Sequence, residues 1–168
     1  GGVLLIGIKD NGKPTKINCT EEAYMIEAAI SKCKPEIKHE INTHEIDGKQ
    51  ILSVNVYQGV ELPYLCLDEN KKWMAYVRSN DSNVLANWVW LQVAKNKSKK
   101  ENIQLEYVGI DEMVLKSIKQ NPGITQRDLS KEIKQNFRKV GNSLVKLVGM
   151  GIVKMIFSKT GAFYQLNV

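Results

Sequence analysis

The chain has 168 residues, 43% of them apolar and 25% charged, with a formal net charge of +6. This is the composition of folded domains, with length enough for one or two hydrophobic cores. No apolar run reaches the roughly 18–20 residues that cross a bilayer, and the three scattered cysteines, Cys19, Cys33 and Cys66, fit reduced thiols in a cytoplasm better than a disulfide framework.

Residues 3–8, VLLIGI, form a continuous apolar run that predicts a buried strand, with Gly7 marking a close backbone approach. A buried strand so near the first residue implies a natural domain that begins upstream. Asp10-Asn11-Gly12 is a turn. Asn18 or Thr20 caps a helix reaching about Lys34, with Ala23, Ile26, Ala29 and Ile30 as its apolar stripe and Pro35 as its end. Residues 37–46 and 50–57 predict a hairpin across Asp47-Gly48, and 73–78 another strand. The first part thus reads as a small mixed sheet with at least one helix. Residues 84–93, VLANWVWLQV, predict a short helix packed on that sheet, and KNKSKKE at 95–101 an exposed linker.

Residues 110–120 predict a helix with Ile110, Val114 and Ile118 on one face, ended by Asn121-Pro122-Gly123. Thr125 caps a second helix by accepting from the Asp128 amide. After a break at Gln135-Asn136, Val140, Leu144, Leu147 and Val148 stripe a third helix, with Gly149 as its left-handed stop. Two strands, 152–157 and 162–168, follow across Ser158-Lys159-Thr160-Gly161. The order α, α, α, β, β is that of a winged helix-turn-helix. From 111 to 168 there are 10 Lys and Arg against 4 Asp and Glu, while residues 1–110 balance at 14 each. Excess positive charge confined to one unit marks nucleic-acid binding. The candidate contacts are Gln126, Arg127, Arg138, Lys139, Asn142, Ser143 and Lys146 on the second and third helices, and Lys159 at the hairpin tip.

The chemistry of a catalytic or cofactor site is weaker. Gly7 to Pro14, GIKDNGKP, falls short of a phosphate-binding loop at its last position, where proline offers no hydroxyl to Mg²⁺, which argues against ATP. Cys33, His39 and His44 match no zinc spacing, and the two histidines fall on opposite faces of one strand. Trp73, Trp88 and Trp90 are expected to pack in a core. Arg78, helped by Lys71, Lys72 and Lys9, would contact phosphate, or else pair with Asp81 or Asp10. No cofactor, metal or catalytic grouping is expected.

GGVLLIGIKDNG at 1–12, LPY at 62–64 and AYVRSNDSN at 75–83 resemble the Schlafen-type Alba domain, whose motifs run in this order. The resemblance covers residues 1–83. It implies an Alba-like fold, a C-terminal winged helix as in many bacterial members, and DNA binding in transcription; many members also carry an ATP-binding label. In vertebrate relatives, upstream glutamates and an aspartate matching Asp10 form an RNA-cutting site, and those glutamates do not lie within this chain. Together these readings predict an α+β protein: an Alba-like domain at 1–94, a linker at 95–109 and a winged helix at 110–168. Its expected role is a cytoplasmic, non-enzymatic DNA-binding regulator, with DNA as partner and a homodimer as a candidate assembly. The alternatives are a nucleic-acid-processing enzyme of the Schlafen type and a non-DNA oligomerisation module.

Overall fold

The structure is a computed structural model and describes residues 1–98 and 109–167. It is a mixed α+β chain in two compact units, Gly1–Trp73 and Met74–Val168. The expected linker at 95–109 lies largely outside the described residues, and its first four residues, Lys95 to Ser98, are helical.

In the first unit, β3 (His39–Ile46) and β4 (Lys49–Val56) pair antiparallel, and β1 (Gly2–Ile6) pairs with the other edge of β4. The hairpin turns at Asp47-Gly48, both at positive φ, as a two-residue turn of this hand requires. Ile51, Leu52 and Val54 of the central strand are buried. β1 is not the buried strand that its apolar run predicts: Val3, Leu4 and Leu5 are 65%, 49% and 53% exposed. As an edge strand it is covered along one side only, by β4. Gly7 does sit in close approach, because a Cβ there would lie 3.1 Å from Ile51 and 3.2 Å from Ile17.

Helix α1 (Cys19–Ile30) starts at Asn18, whose side chain accepts from the Glu21 amide. It stops short of Lys34, since β2 (Cys33–Lys34) pairs antiparallel with β5 (Leu65–Leu67). The strands therefore divide among several small antiparallel sheets instead of one mixed sheet. His39 donates from Nδ1 to the Ile37 carbonyl at 2.9 Å and from Nε2 to Glu27 at 3.1 Å. Two acceptors hold two ring protons, so the backbone bond first and Glu27 second push His39 above its usual range.

β6 (Trp73–Met74) lies at the division of the units. The second unit then opens with the hairpin β7 (Tyr76–Ser79) and β8 (Ser82–Leu85), turning at Asn80-Asp81. The apolar run 84–93 is thus split. Its first residues belong to β8, and α2 (Trp88–Ser98) begins where Asn87 Oδ1 accepts from the Trp90 amide at 2.9 Å. Val89 and Val93 of α2 join a core with Val114 and Ile118 of α3 (Gly109–Gln120), Leu129 of α4 (Gln126–Glu132), and Val140, Leu144 and Leu147 of α5 (Phe137–Gly149). This helix, expected on the first sheet, supplies core to the second unit.

β9 (Ile124–Thr125), β10 (Val153–Ser158) and β11 (Gly161–Leu166) make an antiparallel sheet in the order β10-β11-β9. Tyr164 of β11 is fully buried, and its hydroxyl accepts from Asn87 at 3.1 Å. Burial pushes that phenol up to about 12. Helix α5 runs to Gly149, but the left-handed stop falls two residues later: Met150 is still right-handed and Gly151 carries the positive φ. Ile152 donates to the Leu147 carbonyl and Gly151 to that of Val148, the bond pair of a Schellman stop.

Two outcomes follow from this geometry. Gly151→Ala should lower stability by about 1–2 kcal/mol, from left-handed strain alone, because nothing else lies near its Cβ position; chemical denaturation checks this. The His39 ring should titrate above pH 6.5 by NMR, and Glu27→Gln should lower its midpoint. The stability tied to this pair is full below the unfolded value and is lost as pH rises through the raised native one.

Candidate nucleic-acid interface

Two polar contacts aim the start of α5. Asn136 accepts from the Arg138 amide at 2.8 Å and caps the helix. Gln126, at the start of α4, donates from Nε2 to the Phe137 carbonyl at 3.0 Å. Gly141 leaves room for that amide, because a Cβ would lie 2.7 Å from Gln126 Nε2 and 3.1 Å from the Trp88 ring. The N-terminal turns of α4 and α5 are thereby held against each other. Thr125 caps α4 and accepts from the Asp128 amide at 3.2 Å, as its sequence predicts.

With the apolar stripe buried, Arg138, Lys139 and Asn142 are exposed on the first two turns of α5, and Arg127 is exposed on the first turn of α4. Lys159 is exposed at the two-residue tip between β10 and β11, whose turn is braced by the Ser158 and Thr160 hydroxyls at 2.8 Å. Gln126 is half-buried and engaged in the helix contact just described, so its amide is committed to the fold.

Ser143 and Lys146 do not share that open face. Ser143 is 3% exposed and donates to Asp111 Oδ1 at 2.6 Å. Lys146 is half-buried and reaches Asp111 Oδ2 at 2.7 Å. Asp111 itself is 1% exposed. A carboxylate in that setting needs its charge and lone pairs answered, and these two α5 side chains, three residues apart, answer them. They belong to the α3–α5 joint and not to the outward surface. Beside them lies a cleft of about 540 Å³, lined in part by Ile110, Met113, Lys139 and Asn142.

Arg78 is exposed, with Nη1 donating to Asn83 at 3.2 Å; of the two readings that the sequence offers, a phosphate contact or a pair with Asp81 or Asp10, this hydrogen bond is not the carboxylate pair. It lines a groove of about 660 Å³ together with Lys97, Lys154, Trp90 and Phe157. The hairpin wall of this groove is fixed by Ser79, whose hydroxyl donates to the Phe157 carbonyl at 2.6 Å. No Asp or Glu is among the described residues that line it. Lys97 and Lys154 are contributions that the sequence does not disclose, since one lies in the apparent linker and the other in an alternating strand. Lys71 and Lys72 are exposed in a tight turn of the first unit, where the Asp68 carboxylate accepts from the Lys72 amide at 2.7 Å. They are thus placed in a different compact unit from Arg78. Trp73 and Trp88 are 42% and 45% exposed, against the expected core packing. Lys34 Nζ sits 3.5 Å over the Trp73 ring, a cation–π contact that accounts for the first.

The loop from Gly7 to Pro14 is a tight turn. The Lys9 amide donates to the Lys13 carbonyl, Gly12 to Lys9, and Lys13 to the Asn11 side chain. Three of the amides that a phosphate-binding loop would turn toward its ligand, those of Lys9, Gly12 and Lys13, are spent inside the turn. His44 holds Ser53 at 2.7 Å and His39 holds Glu27. Among the described residues no group of three His, Cys, Asp or Glu is placed to hold a metal ion.

The Asp111 joint makes a prediction about which cations are structural. Asp111→Ala and Lys146→Ala should each destabilise the chain by about 3 kcal/mol or more, because each removes one partner of a largely desolvated ion pair. Arg138→Ala and Lys139→Ala should stay within about 0.5 kcal/mol of wild type. Urea denaturation of the four variants separates the two classes.

Among the described residues, no helix is long and apolar enough to cross a membrane. No curated protein and no solved structure matches the chain. The family model "Schlafen, AlbA_2" matches residues 1–87, more than half the chain. By that match the chain belongs to the Schlafen AlbA_2 family, a nucleic-acid-associated one.

Proposed function

We propose that this protein binds duplex DNA through its second unit, used as a winged helix-turn-helix, and acts as a cytoplasmic transcriptional regulator without catalytic activity. The observation that carries this reading is the charge at the start of α5. Helices α1, α3 and α4 each place acidic residues in the first turn, where they complement the helix dipole. α5 has none there and instead exposes Arg138 and Lys139. Cations at a positive helix end each cost about 0.3–1 kcal/mol, so the arrangement opposes stability and suits an anionic partner. The charge balance of the units supports it. Met74–Val168 holds 15 Lys and Arg against 7 Asp and Glu, a net +8, while Gly1–Trp73 holds 9 against 11, a net −2.

In this reading α5 enters the major groove with Arg138 and Asn142 toward base edges, and Lys139 and Arg127 on phosphates. Lys159 touches the backbone beside the groove from the hairpin tip. The groove of Arg78, Lys97 and Lys154 offers a further cationic track for the backbone, with Trp90 in its wall. Homodimerisation on a two-fold site is compatible with this mode, and use of the hairpin for oligomerisation alone is the rival.

The test is fluorescence anisotropy of the full chain on selected duplexes across a salt series. Arg138→Ala should weaken binding by about 1–3 kcal/mol and relax preference at one position. Lys159→Ala should weaken all sequences alike and reduce the salt slope by about one. If an Arg138→Ala/Lys139→Ala variant that is folded by circular dichroism binds as wild type does, α5 is not the reader. Calorimetry with MgATP should show no binding that depends on Lys13, since Pro14 offers Mg²⁺ no hydroxyl and the turn ties up the Lys9, Gly12 and Lys13 amides.

A further inference from the structure

We propose that Cys33 and Cys66 form a redox-modification site, a dithiol that a small-molecule disulfide such as oxidised glutathione converts to an intrachain bond across β2 and β5. The two residues are direct partners in the antiparallel register, with Lys34 opposite Leu65 beside them. Direct partners send their side chains to the same face of the sheet. Their position within the ladder is also set. The Leu67 amide donates to the Lys32 carbonyl at 3.0 Å, which makes Lys32 and Leu67 the hydrogen-bonded pair. Cys33 and Cys66, one step along, are then the non-hydrogen-bonded pair, where Cα atoms lie about 4.5 Å apart and side chains approach most closely. That separation falls inside the roughly 4.4–6.8 Å that a disulfide spans.

The two sulfurs are near enough to interact, since burial first and the neighbouring Cys66 thiolate second push the Cys33 thiol up. Both cysteines are only partly buried, so an oxidant has access. Cys19, the third free thiol, starts α1 and has no cysteine opposite it in a strand.

The chemistry balances in two exchanges. One thiolate attacks a sulfur of the oxidant, forming a mixed disulfide and releasing one small thiolate. The other cysteine, deprotonated, attacks the protein sulfur of that bond and releases the second small thiolate. The pair loses two electrons and two protons, and the oxidant is reduced to two thiols. The new bond would join the strands on either side of residues 34–65, which contain the β3–β4 hairpin and a pocket of about 310 Å³ walled by Pro35, Tyr57, Gly59 and Tyr64.

The experiment equilibrates the full chain in glutathione buffers of graded ratio, quenches in acid, alkylates the free thiols and measures intact mass. The expected product is a monomer lighter by two hydrogens with one alkylated thiol, and a peptide map that joins Cys33 to Cys66. Cys33→Ser and Cys66→Ser should each stop at the mixed disulfide with glutathione, and dithiothreitol should restore three thiols in the wild type. A bridge to Cys19, a bridge between chains, or a wild type that accumulates the glutathione adduct as its single-cysteine variants do would each overturn the proposal.

Discussion

A carboxylate with almost no access to water stands at the centre of the second unit. Asp111 lies in the first turn of α3, and its oxygens are taken by Ser143 and Lys146 of α5. A pair of this kind adds little net stability over apolar packing, because desolvation offsets much of the attraction. What it supplies is angle. Ser143 and Lys146 share one side of α5, so fixing both to one carboxylate fixes the rotation of the helix about its axis. With that rotation set, Val140, Leu144 and Leu147 enter the core and Arg138, Lys139 and Asn142 turn outward. The outward face follows from an internal ion pair as much as from its own polarity.

The start of the same helix is held by groups that would otherwise be costly to bury or leave unpaired. Asn136 satisfies one free amide, and Gln126 brings α4 alongside through the Phe137 carbonyl. Gly141 is where a side chain would break this contact, since its missing Cβ is the space that the Gln126 amide occupies. The cationic turn of α5 is therefore rigid on the side facing the protein and polar on the side facing solvent. Such pre-organisation matters for reading an anion, because side chains already in place lose less freedom on contact.

Local turn chemistry was legible in the sequence, and long-range burial was not. Asp47-Gly48, Thr125 and Asn121-Pro122-Gly123 each carry their conformation in residue type, and each appears where expected. Gly149 misled by two residues because several small residues at a helix end can take the left-handed position, and only the Leu147 and Val148 carbonyls show that Gly151 does. Ser143 and Lys146 look solvent-facing in a helical wheel, since the acid that buries them is more than thirty positions away. The run 84–93 carries no alternation to separate strand from helix, and the dividing signal, Asn87 as a cap, is a single residue inside it. Val3, Leu4 and Leu5 show the converse: hydrophobicity predicts burial, but an edge strand is buried only where something covers it.

Moving Lys146 from the surface to the joint changes the electrostatics of any nucleic-acid complex. The salt dependence of binding counts the phosphates that cations neutralise, about 0.9 per contact in the logarithmic slope for duplex DNA. The exposed turns and hairpin tip retain Arg127, Arg138, Lys139 and Lys159, a small footprint for a specific complex. The groove adds Arg78, Lys97 and Lys154 without an opposing carboxylate in its described lining. Whether the complex draws on both is written in the slope itself. A value near that of four contacts assigns binding to α4, α5 and the hairpin tip, and a markedly steeper one requires the groove as well.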